Sequence, residues 1–238
     1  MDILQNFKNT NLTQGVISSL IVIAIMILLS IYIGIRAHFQ NPLKKPKGFL
    51  LIVEIGVNFF ENMAEGLLGK RFRIFGGYLM AVGVYMFIAF IFGLTGLPSP
   101  ITTMAIPFSL GLSTFMLIHA TAMKYNKFRY FKRYVEPVPF FLPINLISMW
   151  APLLSLTLRI FGNALSGYVI MSIIYYGFEA VSHNLFASIG ASGLSFAPLL
   201  TWILHLYFDL WAGFIQTTVF LSLTTIYVGQ EMPEDLLG

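Results

Sequence analysis

An all-α polytopic membrane protein is the fold class that three features of this 238-residue sequence predict. The first is composition, with 57% hydrophobic and only 10% charged residues and a mean hydropathy of +0.80. Soluble domains carry about 25% charged residues, so a chain this apolar belongs in a bilayer. The second feature is five apolar runs, at 16–37, 75–95, 102–123, 143–177 and 196–229, each long enough to cross a membrane. The third is the clustering of basic residues into a few places along the chain, which is a topology signal. The sequence pI of about 9.3 is therefore read as membrane orientation and not as affinity for nucleic acid.

Each element has its own justification. Residues 1–15 precede the first apolar run and form an N-terminal segment. The run at 16–37 is followed by no small-residue cleavage motif, so it is a retained span and not a removed signal. Residues 48–69, "GFLLIVEIGVNFFENMAEGLLG", alternate two faces at helical spacing. Glu54, Asn58, Glu61 and Glu65 fall opposite Leu51, Ile55, Phe59, Met63 and Leu67, as in an amphipathic helix lying at the membrane interface. The runs at 75–95 and 102–123 are ordinary spans joined by the short "GLPSP" loop, and 124–142 is a basic loop. The last two runs, 143–177 and 196–229, exceed the roughly 20 residues that a crossing requires. Helices of that length are tilted or bent, and Pro152 and Gly162 are the flex points in the fourth. Residues 230–238 form a short tail.

The basic residues orient these elements. Of the 14 Lys and Arg, all but Lys8 and Arg159 flank the end of the first span, precede the second, or follow the third. With five spans and one interfacial helix, those three places share one side. The loops opposite, 96–100 and 178–195, contain no Lys or Arg. The positive-inside rule then sets the N-terminus outside and the C-terminus in the cytoplasm.

Arg159 is the exception, standing within "LSLTLRIFGNALSGYVIMSIIYYG". A guanidinium stays charged in a protein, and at mid-bilayer it costs between about 2.5 and 17 kcal/mol depending on the method. More than three apolar turns follow it, too many for its head to snorkel comfortably to an interface. Ser155, Arg159, Asn163 and Ser166 recur on one helical face, with Gly162, Ala164 and Gly167 among them permitting close helix packing. In the fifth span His205, Asp209 and Gln216 fall at i, i+4 and i+11, again on one face. Intramembrane ionisable groups mark ion paths, whereas a buried Gln also serves as glue between helices. The two spans run antiparallel, so pairing Arg159 with Gln216 in depth brings Tyr168 and Asp209 together on the outer side. At about 1.5 Å per residue, these lie about 13 and 10 Å beyond the first pair. Glu179 and His183 then stand at the outer mouth. The pattern outlines a half-channel ending at a fixed positive charge.

Other chemistries find no support. There are no cysteines, hence no disulfide or thiolate site. No HExxH, GxSxG or Gly-rich P-loop occurs, so nucleotide chemistry must sit on a partner chain. The histidines His38, His119, His183 and His205 are scattered, and no metal or cofactor is expected. A secondary transporter with Arg159 binding an anionic substrate is the rival reading, but neither an internal repeat nor interrupted spans are seen.

The segment "LSLTLRIFGNALSG" resembles the signature of subunit a of the F-type ATP synthase, the stator part of the membrane motor. The similarity extends to the whole architecture, including the long final hairpin and a late Gln. The resemblance implies that the hairpin faces the ring of c subunits, with the b-subunit stalk and, indirectly, the F1 sector as further partners in a bacterial plasma membrane. It implies that Arg159 is the essential arginine, Asn163 the asparagine near the inner access path, and Gln216 the glutamine opposite the arginine. Tyr168 and Asp209 stand where many members carry a pair of ionisable residues, often Glu and His. Here the chain departs from the pattern, since a free tyrosine titrates near pH about 10. That leaves Asp209 as the carboxylate of the outer route, with Glu179 or His205 to share its task.

Overall fold

The computed structural model describes residues 14–40, 46–95, 97–127, 130, 140, 142–187 and 197–233. The expected N-terminal segment, the basic loop at 124–142 and the tail lie largely outside these residues, as does the connection after the fourth span from 188 on. The described residues are helical, and no strand occurs among them.

Helix α1 (Gln14–His38) is the first span, matching the apolar run in the sequence. Helix α2 (Phe49–Leu68) is the amphipathic segment, entered and left through Gly48 and Gly69, both at positive φ. It is not among the helices long and apolar enough to cross a membrane. A 3₁₀ turn (Lys70–Phe75) leads into α3 (Gly76–Ile91), which tightens into another 3₁₀ turn at Phe92–Thr95. After the short Pro100–Thr102 turn comes α4 (Ala105–Asn126).

Helix α5 (Leu142–Ala187) is longer than the sequence pattern predicts, a single run of 46 residues. Pro152 lies inside it without ending it, so the loop expected from 178 is, as far as 187, helix. Apolar periodicity stops near 177 because the chain becomes polar there, at Glu179, Ser182 and His183, not because the backbone breaks. The last span comprises α6 (Ala197–His205), a π-helical turn (Leu206–Trp211) and α7 (Ala212–Gln230), with helical dihedrals at both junctions. In all, five helical segments have the length and hydropathy to cross a membrane.

The core sits where α2, α3, α5 and α7 meet. Ala64, Leu79, Met86, Leu156, Ile160 and Phe220 are buried there together. Small residues set how closely the helices approach, as is common between membrane helices. A Cβ on Gly76 would lie 2.7 Å from the Glu61 backbone, so α2 and the start of α3 touch main chain to main chain. A Cβ on Gly213 would lie 2.6 Å from Cβ of Phe90, which seats α7 against α3 just below the π turn.

The polar face of α2 is partly used inside the chain. Arg73 donates from Nε to Glu61 Oε2 at 2.6 Å and from Nη2 to Asn58 Oδ1 at 3.5 Å. Elsewhere polar side chains bond across helices in pairs. Ser19 meets Tyr85 at 2.7 Å, and Tyr78, Thr114 and Thr224 link α3, α4 and α7 at 3.3 Å per step.

Candidate functional site

Arg159 lies on the outward face of α5, exposed to what surrounds the subunit. Its Nη2 donates to Ser155 Oγ at 3.4 Å, one turn earlier. No carboxylate pairs with it among the described residues. The face it occupies is largely apolar, with Leu154, Leu158, Leu165, Val169 and Ile173 exposed along it and the exposed Ser166 among them. Gly162, three residues on, has open space where a side chain would be, so it packs against no other helix of this chain. Ser166 bonds the Asn163 carbonyl of its own helix at 3.0 Å. Gly167 and Ala164 do serve packing within the subunit: a Cβ on Gly167 would lie 3.4 Å from the Phe208 ring, and Ala164 packs against the core.

Between α5 and the last span lies a cleft of about 760 Å³. Asn163, Tyr168 and Tyr175 line it from α5, and His205 and Asp209 from the opposite wall. Ser99 and Thr102 close one side. Tyr168 and Asp209, paired by counting residues outward from Arg159 and Gln216, thus share one cavity. Asp209 packs against Gly93, where a Cβ would come within 3.4 Å of its carboxylate oxygen.

Asp209 is not alone. His205 Nδ1 stands 2.7 Å from Asp209 Oδ2, and His205 Nε2 stands 3.0 Å from the Tyr175 hydroxyl. The imidazole therefore bridges the two long spans. Their side chains are about a quarter exposed, 26% for His205 and 24% for Asp209, so both are reachable from the cleft. Tyr175 was not singled out from the sequence, where it reads as one of several aromatics in an apolar run. Its i+7 spacing from Tyr168, which returns a residue to the same helical face, is the signal that could have found it.

Two sequence expectations need correction. Glu179 does not join Asp209: it lies in a separate shallow depression on the extended end of α5, with Tyr176, His183 and Asn184. Nor do His205, Asp209 and Gln216 share one face. The π turn inserts roughly one residue into the helix, which rotates everything after it by about 100°. Asp209 faces the cleft, while Gln216 turns inward, 6% exposed, and does not line it. No hydrogen bond joins Gln216 to Arg159, and its Nε2 donor is buried without a partner within the chain.

An outward cation on a largely apolar face beside a cleft lined by His205, Asp209 and two tyrosines restricts the kind of protein this is, and comparison with known proteins decides it. The model of the family described as ATP synthase A chain matches residues 16–229. The chain belongs to the ATP synthase A chain family. Among its relatives is ATP synthase subunit a of Mycoplasmoides gallisepticum, 29% identical over 92% of this chain and 78% of the relative. ATP synthase subunit a of Bacillus subtilis is likewise 29% identical, over 96% of this chain and 94% of its own length. Subunit a is the ion-translocating membrane subunit of the F0 sector, and the catalytic sites of the ATP synthase lie on other chains. The arginine, the cleft and the π turn all lie within the stretch that the family model matches.

Proposed function

We propose that this chain, as the F0 stator subunit a, provides two offset half-channels that load and unload protons on the carboxylates of a c-subunit ring. Arg159 is the barrier between them. The observation that carries this reading is the position of Arg159, exposed on an outward, largely apolar face with no carboxylate among the described residues paired with it. A bare cation in a membrane calls for an anion from a partner. A ring carboxylate arriving opposite it fits that need. The guanidinium favours the ionised carboxylate, depressing its pKa by about 1–3 units, so the proton leaves as the rotor site arrives and cannot leak straight across.

In this reading the cleft holding Tyr168, His205 and Asp209 is the outer half-channel, with the N-terminus outside and the C-terminus cytoplasmic. Asn163 lies near the inner access path, and Ser155 steadies the guanidinium. Gln216, with its unpartnered donor, is held ready near the barrier. The b-subunit stalk and, through it, the F1 sector complete the stator. Replacing Arg159 with Lys keeps the charge and removes the planar fork. Arg159→Lys is expected to abolish ion-driven ATP synthesis in membrane vesicles, and synthesis at the wild-type rate would refute the assignment.

A further inference from the structure

The sequence offers one titratable carboxylate in the cleft, where a tyrosine stands in place of a second. The geometry points to Tyr175, His205 and Asp209 acting as a single proton-handling unit, with Tyr175 as the positioning residue that lets the imidazole change state in place. This rests on the reading of the cleft as the outer proton route.

The argument is one of donors and acceptors. A neutral imidazole has one donor nitrogen and one acceptor nitrogen. With Asp209 ionised, Nδ1–H donates to its Oδ2 across 2.7 Å, and the Tyr175 hydroxyl donates to Nε2 across 3.0 Å. Both ring nitrogens are then paired. When a proton arrives it binds Nε2, and the imidazolium donates to both neighbours. Tyr175 answers by rotating its hydroxyl from donor to acceptor, which a phenol does without moving a heavy atom. The unit thus gains one proton and one positive charge, and returns to its first state when Nε2 gives the proton up. In both states each ring nitrogen keeps its hydrogen-bonded neighbour, so the imidazole itself carries no penalty of an unmade bond inside the protein.

The backbone supports the same arrangement. His205 is the last residue before the π turn and Asp209 lies inside it, where Ala212 N–H reaches Tyr207 O instead of the carbonyl four residues back. Single π turns inside α-helices occur frequently at functional sites. Here the turn directs Asp209 at the cleft while the packing of α7 continues beyond it. Among the described residues lining the cleft, the titratable groups are Tyr168, Tyr175, His205 and Asp209. The α3 end contributes Gly93 and the 97–102 segment Ser99 and Thr102, none of them titratable in this range.

The test is passive proton flow in vesicles carrying the assembled complex, stripped of its catalytic sector, followed from about pH 5 to about 8. His205→Ala is expected to slow the flow at least about tenfold. Tyr175→Phe keeps the ring and removes only the hydroxyl. The bond that it removes is stronger when the imidazole is charged. The midpoint of the flow profile should therefore differ from that of the wild type. The midpoint does not depend on how much subunit is present, so it separates this effect from poor assembly. Tyr176→Phe, next door and facing away, should leave the profile in place. A Tyr175→Phe profile that superimposes on the wild type, or one matched by Tyr176→Phe, would overturn the inference. Asp209→Asn separates the two levels of the argument. If it stops the flow while Tyr175→Phe changes nothing, only the three-residue unit is wrong. If it leaves the flow untouched at every pH, the cleft is not the route and both readings fall.

Discussion

Gly162 and Gly213 look alike in the sequence, each a glycine in an apolar helix, yet their surroundings assign them opposite work. Around Gly213 the space is filled by Phe90, whose Cβ would lie 2.6 Å from an added methyl and cannot swing away. A Cβ added at Gly162 would meet no other part of the described residues within 4 Å, its own helical turn apart. A glycine inside a helix costs about 0.5–1 kcal/mol relative to alanine, so an unpacked one should be improved by replacement if the subunit stood alone. Gly213→Ala is expected to lose about 1–3 kcal/mol through overpacking, seen as a lower thermal midpoint of the detergent-solubilised complex. Gly162→Leu should leave the subunit's own packing intact and instead impair coupled transport, because the added side chain stands beside Arg159 on the outward face. Equal loss of thermal stability in both variants would contradict the assignment of the two faces.

At the scale of the element, the sequence is most legible where one periodicity persists and least where it changes. The spacing of apolar residues finds α1 to α4 to within a few residues, because each buries or exposes one face over an unbroken apolar stretch. It ends α5 about ten residues early, since hydropathy reports membrane and not hydrogen bonding, and the polar turns around Glu179 remain helical. It places Asp209 and Gln216 on one face because counting in steps of 100° assumes an unbroken α-helix, and no residue type announces the π turn. The pairing of Tyr168 with Asp209 survives because it counts depth along the helix axis, which one π turn changes little, and not rotation about it. The amphipathic reading of α2 also gains a detail, since Glu61 and Asn58 are taken up by Arg73. That pair is largely solvated, 52% exposed for Arg73 and 27% for Glu61, and exposed ion pairs are worth about 0–1 kcal/mol. A double-mutant cycle on Glu61→Ala and Arg73→Ala should therefore give a coupling energy below about 1 kcal/mol. A coupling of several kcal/mol would mean that the pair is buried in the assembled complex.

For the molecule as a whole, the decisive asymmetry is between the sides of α5. One side carries Leu153, Leu156 and Ile160 into the core, where the helix packs against α4 and α7. The other carries Arg159 on a strip of exposed leucine, valine and isoleucine. Lipid would satisfy the apolar part of that strip but leave the guanidinium stranded, whereas a rotor presenting carboxylates satisfies both. Because the chain has no cysteine, single cysteines can be introduced one at a time without a prior deletion step. Cysteines at Leu158, Leu165 and Val169 should form disulfides with cysteines on the outward face of c subunits in the assembled membrane complex. Cysteines at Leu156 and Phe220, both nearly inaccessible within the subunit, should form none. Cross-links should also recur every third or fourth residue along α5, the spacing of one helical face. Links from the buried positions, or none along the Arg159 strip, would mean that the ring meets another side of the subunit and that the exposed arginine serves some different anion.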